Sequence, residues 1–226
     1  MKIRNFGLFL FILLCTGFSL EARGNRESDS EPEGTNQISA VVTYLIGDVT
    51  INKEPAEEGN VVPLGATVKT GIDSSVEITF GSHNIFRVEA DTITTISIGE
   101  NAGKIDIQKG SIEAVFDRLG MFSNGDDFRI NTPSVVAGIR GTVFYINVEK
   151  PDTTYICTCH GTVHQKPADN SPAQDVTAYH HKAKRYIKNP SGVRIETGKL
   201  RYHNDELMEA LGKKVKVEIP WNQATE

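Results

Sequence analysis

The sequence is short of positive charge, of catalytic signatures and of helical periodicity. Its 24 lysines and arginines are outnumbered by 29 aspartates and glutamates, for a formal charge of −5, so no nucleic-acid partner is expected. None of the patterns G-x-S-x-G, G-x-x-x-x-G-K-[ST] or H-E-x-x-H occurs. That removes the nucleophile elbow, the phosphate-binding loop and the zinc-protease helix. The paired acids Glu57-Glu58 and Asp126-Asp127 lie in polar, turn-like stretches, where solvated charge is the default reading. The expectation is a non-enzymatic protein. From Ile38 to Val148 no amphipathic helix longer than two turns can be drawn. Hydrophobic residues make up 38% of the chain, modest but enough for a β-rich core. A length of 226 residues suits one domain of ordinary size with appendages.

What is present begins with a leader. Lys2 and Arg4 precede the apolar run Phe6 to Leu14, and small residues follow. A basic start, an apolar segment too short to span a bilayer with ease and a small-x-small site at Gly17 and Ser19 read as a secretory signal peptide within residues 1–22. Ala22 is a second cleavage candidate, and an uncleaved anchor is the structural alternative. Cutting after Ser19 removes Lys2 and Arg4 and leaves 22 basic against 29 acidic residues, a charge of −7. Cys15 follows the apolar run and resembles the lipidated cysteine of a lipoprotein signal, although that motif prefers a small residue where Leu14 stands. The chain is expected outside the cytoplasm, in the periplasm or cell envelope. It meets a membrane only if Cys15 is lipidated or the leader is retained. Residues 23–37 are polar and aperiodic; they cannot bury enough apolar surface to offset their ordering entropy and read as a flexible tether.

The rest is patterned for strands. Val76, Ile78 and Phe80 alternate with Glu77 and Thr79; Ile93, Ile96 and Ile98 lie among threonines; Ile105 and Ile107 alternate with Asp106 and Gln108. Turn residues separate these runs at Gly47-Asp48, Gly81 to Asn84, Gly99 to Gly103 and Asn124-Gly125. Many short strands at close spacing predict an all-β fold, a sandwich or β-roll. A short C-terminal helix is expected where Asn204 caps Asp205-Glu206, with Leu207 and Leu211 as its apolar edge and Gly212 as its stop. Val215, Val217 and Ile219 alternate with charged residues and predict one last strand before Trp221.

One stretch stands apart: Thr132-Pro133-Ser134-Val135-Val136-Ala137-Gly138-Ile139-Arg140-Gly141-Thr142. Its glycines permit backbone angles or close approaches that a side chain forbids. Arg140, set between Gly138 and Gly141, is expected to bond backbone carbonyls and close the domain, a structural role. Gly47 to Ile51, Pro63 to Gly71, Asp73 to Ser82 and Gly110 to Ala114 precede this element in order. Together the five pieces resemble the FecR-like domain, a β-rich periplasmic module. The resemblance covers residues 38–148 and implies a binding, sensing or interaction module with an envelope protein or glycan as partner. The family's sigma-regulating members carry a cytoplasmic segment and a spanning helix. Here the apolar run lies only a few residues from the start, so a stand-alone domain without that role is expected.

Residues 149–226 read as a β-rich extension and hold the one constellation with chemical promise. Cys157 and Cys159 stand two apart, and five of the six histidines fall between His160 and His203. On a strand the cysteines share a face, opposite Thr158 and His160. Thiolate and imidazole together suit zinc, copper or iron. A transition-metal site is therefore expected from Cys157, Cys159 and one or two of His160, His164, His180 and His181. The C-x-C-H spacing is one residue short of the C-x-x-C-H of covalent haem, and it is not the C-x-x-C of a zinc knuckle. Two other readings stay open: small buried hydrophobes, or a strained, redox-active pair. On a strand His180 and His181 point to opposite faces, so at most one joins a shared site. Lys182 to Lys188 is basic and reads as a solvated strand face. The leading reading is a FecR-like binding or sensing module; the alternative is a periplasmic metal- or haem-binding or redox-responsive protein.

Overall fold

The computed structural model describes residues 38–117, 119–120 and 128–222. The leader, the tether, Cys15, the Asn124-Gly125 turn and the Asp126-Asp127 pair lie outside the described residues. The all-β expectation holds. In chain order the strands are β1 (Ala40–Ile46), β2 (Val49–Ile51), β3 (Glu54–Pro55), β4 (Val61–Val62), β5 (Ala66–Thr70), β6 (Ser75–Phe80), β7 (Asn84–Val88), β8 (Ile93–Ile98), β9 (Gly103–Phe116), β10 (Phe128–Asn131), β11 (Val135–Ile139), β12 (Thr142–Lys150), β13 (Thr153–Pro167), β14 (Gln174–Ala178), β15 (Lys182–Asn189) and β16 (Gly192–Thr197). The helix α1 (Asp205–Lys214) follows. The alternating runs fall in β6, β8 and β9, and they bury Val76, Ile78, Phe80, Ile96, Ile98, Ile105 and Ile107.

Hydrogen bonding links the strands in the order β16-β15-β13-β11-β10-β9-β7-β6-β1-β4, with β12 pairing both β9 and β13. The longest strands serve two layers. β9 pairs β8 and β10 through residues 103–109, then β7 and β12 through residues 110–116. At the join Gly110 has φ +85, and a Cβ there would lie 2.1 Å from Thr92 Oγ1, so only glycine fits. β13 changes partners in the same way, from β12 and β15 to β14 and β11. Between the layers lies the larger apolar core. Phe80, Phe116, Phe128 and Phe144 meet there with ring centroids 4.8 to 5.4 Å apart.

A second, smaller core lies on the opposite face of β7, β9, β12 and β13. Ile85, Val115, Val143, Tyr145, Tyr155, Cys157 and Cys159 form it together with Met208, Leu211 and Val215 of the C-terminal segment. That segment corrects two expectations. Asn204 does cap α1, its Oδ1 accepting from Leu207 N–H at 2.9 Å. The helix nevertheless continues past Gly212 to Lys214, and its buried stripe is Met208, Leu211 and Gly212, while Leu207 is exposed. Positions 208, 211, 212 and 215 share one helical face, and that face meets the sheet. No strand forms at 215–219. Lys216 takes φ 60, and the Val217 N–H returns to the Gly212 carbonyl at 3.0 Å, a closure that ends the helix. Among the described residues no helix is long and apolar enough to cross a membrane.

The polar face of β6 is also covered. Register sets Glu77, Arg87 and Glu113 side by side across β6, β7 and β9. Arg87 donates to both carboxylates, and Lys214 of α1 donates to Glu77 at 2.6 and 2.7 Å.

Candidate metal centre

A bulge in β13 builds the site. Phe144 pairs with Thr158 but Val143 pairs with His160, so one step on β12 spans two on β13 and Cys159 is the extra residue. Cys157 and Cys159 both face the smaller core, as same-face spacing predicted. His160 does not oppose them: the bulge resets the alternation, and its ring meets Trp221 at 6.4 Å. Both cysteines are free thiols with 0% exposure.

His180 and His181 stand in the turn between β14 and β15, not on a strand. His181 has φ 40, the chain reverses there, and the two rings lie 4.8 Å apart. Both reach Asp205 at the start of α1, His181 Nε2 at 2.6 Å and His180 Nε2 at 2.9 Å. The other nitrogen of His181, Nδ1, lies 3.6 Å from Cys157 Sγ. His203 precedes the α1 cap. Its Nδ1 lies 2.8 Å from the Arg201 carbonyl oxygen, its Nε2 3.2 Å from Cys159 Sγ, and its ring stacks on Tyr145 at 4.7 Å. The Tyr155 hydroxyl fixes this approach, donating to the Lys199 carbonyl at 3.1 Å and accepting from the Arg201 N–H at 3.3 Å.

The ligand atoms of Cys157, Cys159, His181 and His203 all lie within 4.8 Å of one another. Zinc bonds of about 2.3 Å to sulfur and about 2.0 Å to nitrogen set those atoms roughly 3.5 Å apart in a tetrahedral site. The observed sulfur–nitrogen separations of 3.6 and 3.2 Å are of that size. Each ring also has its far nitrogen engaged, His181 by a carboxylate and His203 by a carbonyl. Such outer partners fix the tautomer of a metal-ligating histidine and turn the other nitrogen inward.

The two cysteines and His181 hold protons unevenly. The hydrogen bond from Cys159 is the largest influence on Cys157 and lowers its pKa; burial opposes this, and His181 and His203 lower it further, to about 4. Burial, with the Cys157 charge beside it, pushes Cys159 well up. Burial works to lower His181, but its bonds to Cys157 and Asp205 outweigh that and raise it. One thiolate is ready, and a metal ion would displace the remaining protons.

Of the six expected ligands the structure brings together Cys157, Cys159 and His181. His160 packs on Trp221, and His164 pairs with the exposed Asp175 at 2.7 Å. His180 joins His181 and Asp205 in a second, more exposed group. The fourth member of the cluster, His203, has no signal near the cysteines in the sequence, because it lies 44 residues from Cys159. The only signal for it was its place at the end of the histidine-rich third. Cys157, His181 and Asp205 also stand in the order of a thiol-hydrolase triad. That chemistry needs an accessible sulfur, and Cys157 is sealed, with the Trp221 ring 5.3 Å from that of His181.

The Thr132 to Thr142 element lies elsewhere. At the turn that holds Pro133, Thr132 Oγ1 accepts from the Val135 N–H at 3.1 Å, and Thr142 Oγ1 donates to the Thr162 carbonyl at 2.9 Å. Gly141 takes φ 65. Gly138 sits between Arg129 and His164 in the register. It floors a groove of about 340 Å³ that Arg140 and Lys166 also line. Arg140 is exposed.

These observations define an all-β fold that brings two cysteines and two histidines together in one cluster. Residues 66–164 match the FecR protein family. Two crystal structures of a proposed anti-sigma factor from Parabacteroides distasonis ATCC 8503 are similar in fold, each with a TM-score of 0.46, at 10% and 11% identity. The similarity covers 58% of this chain and 58% of each of those chains. No curated protein matches the chain. The FecR match ends at His164, inside β13. Cys157 and Cys159 therefore lie within the matched residues, while His181, His203 and Asp205 lie beyond them.

Proposed function

We propose that this chain is a non-enzymatic, extracytoplasmic sensing module of the FecR type that binds a transition-metal ion at Cys157, Cys159, His181 and His203. One observation carries the reading: both imidazoles have their far nitrogens bonded, so both near nitrogens converge on two buried sulfurs. Two sulfur and two nitrogen ligands suit Zn²⁺. The FecR match supports a regulatory or sensing role, and the apolar leader supports export. An envelope protein or glycan reads the bound state.

The test is elemental analysis of protein purified under reducing conditions without chelators. Equimolar zinc is expected, and Co²⁺ added after chelation should give a thiolate-to-cobalt charge-transfer band that Cys157→Ser and Cys159→Ser each abolish. Neither metal nor band in the unaltered, reduced protein would end this reading.

A further inference from the structure

We infer that the metal acts as a clasp, its occupancy deciding whether residues 198–222 stay docked on the FecR domain. The inference rests on the metal-binding reading above and adds what the ion controls. Cys157 and Cys159 stand on β13 in the body of the sheet. His203 belongs to the C-terminal segment, and so does Asp205, which holds His181. An ion at this site ties the segment to the sheet.

Apart from the two Lys214 bonds to Glu77, the segment's own hold is slight. α1 has ten residues, too few to be helical in water without tertiary support. Its buried side chains are few, Met208 and Leu211 foremost, and the stretch before it is irregular. It follows β16, an edge strand with no buried residue. The sheet does not depend on the segment in return. The larger core, with its phenylalanine cluster, contains no residue beyond Val193, so the segment can leave without opening it. Regions of such unequal support open at different free energies. An ion that needs His203 binds the docked state alone and shifts the population toward it. Losing the ion uncovers an apolar strip that includes Ile85, Val115, Val143 and Tyr145. Metal level is thereby converted into a change of surface.

Hydrogen exchange on the full chain, with reduced thiols, compares Zn²⁺-loaded with chelated protein while zinc stoichiometry is measured in parallel. Zinc should slow amides of residues 205–217 by about 100-fold and leave β9 and β12 unchanged. Trp221 is the chain's only tryptophan and lies 5.3 Å from the His181 ring, so its emission should shift to the red on chelation. Asn204→Ala keeps every ligand but weakens the helix cap; it should speed that exchange and weaken zinc several-fold, because coupling is reciprocal. Stoichiometric zinc with unchanged exchange overturns the clasp and leaves the metal site standing. Protection spread evenly over the whole sheet overturns it too, because the ion would then support the fold in general. Absence of zinc binding removes both.

Discussion

Cys159 Sγ and His203 Nε2 stand 3.2 Å apart although 44 residues separate them. The contact joins the FecR-matched residues to the chain beyond them, and two further pairings, of His203 with Arg201 and with Tyr145, hold the ring in place. Removing either partner takes away a ligand and leaves the ring or the sulfur buried without it. Cys159→Ser and His203→Ala should each weaken zinc by on the order of 100-fold or more. Competition with a chromophoric chelator measures this. His164→Ala, whose ring pairs with exposed Asp175, should leave the affinity unchanged; an equal loss there would place the ion elsewhere.

Asp205 holds His181 from behind at 2.6 Å. Burial works against its charge, yet hydrogen bonds from His181 and His180 hold its carboxyl below the usual carboxylate range. Asp205→Asn keeps the shape and loses the charge that orients the ring. Outer-shell changes of this kind weaken a metal by about 10- to 100-fold, and that is the loss expected in the same competition assay. His180→Ala removes only a neighbour on the same carboxylate and should have little effect. A wild-type affinity in Asp205→Asn would mean that the carboxylate serves the helix terminus alone.

Much of the fold was legible in the sequence because one-sided burial writes a period of two, and β6, β8 and β9 carry it plainly. Cys157 and Cys159 were legible as a pair for the same reason. Each miss has a physical cause, some local and some tertiary. The bulge at Cys159 moved His160 off the expected face. The positive φ of His181 placed a turn where a strand was expected and sent both neighbouring rings to one carboxylate. Glu77 and Glu113 are buried because the C-terminal segment and the Arg87 row cover them. His203 reaches the site through tertiary packing alone, which no local pattern records.

Glu113 predicts how stability depends on pH. It is 1% exposed; burial raises its pKa, Arg87 opposes, and the result is about 7 against a reference of 4.5. The folded state thus binds a proton more tightly than the unfolded chain. Its contribution is fully present below pH 4.5 and is lost as pH rises through 7. Stability measured by urea unfolding should fall between pH 5 and pH 8 by up to roughly 3 kcal/mol on this account. Glu113→Gln should flatten that slope. A variant with the parent's slope would assign the pH dependence to another group.

Gly110 is the point where β9 passes from one layer to the other, and its replacement tests that architecture. Its φ is +85, and an added Cβ would lie 2.1 Å from Thr92 Oγ1 and 2.6 Å from Thr92 Cα. Thr92 cannot yield easily, because its Oγ1 accepts from the Ser111 N–H at 2.9 Å and its own N–H donates to Thr70 Oγ1 at 3.0 Å. Gly110→Ala should therefore cost about 3 kcal/mol or more, from strain and overpacking together, and lower Tm by roughly 10 °C. Gly65 separates the two contributions. It too has positive φ, +76, but nothing lies within 4 Å of the Cβ position. Gly65→Ala should then cost only the backbone strain, about 1 kcal/mol. Adding Thr92→Ala to Gly110→Ala should not restore stability, because the clash with the Thr92 backbone survives the loss of its side chain. Full recovery in that double variant would mean the two strands can part at this corner, and the layered path of β9 would need another explanation.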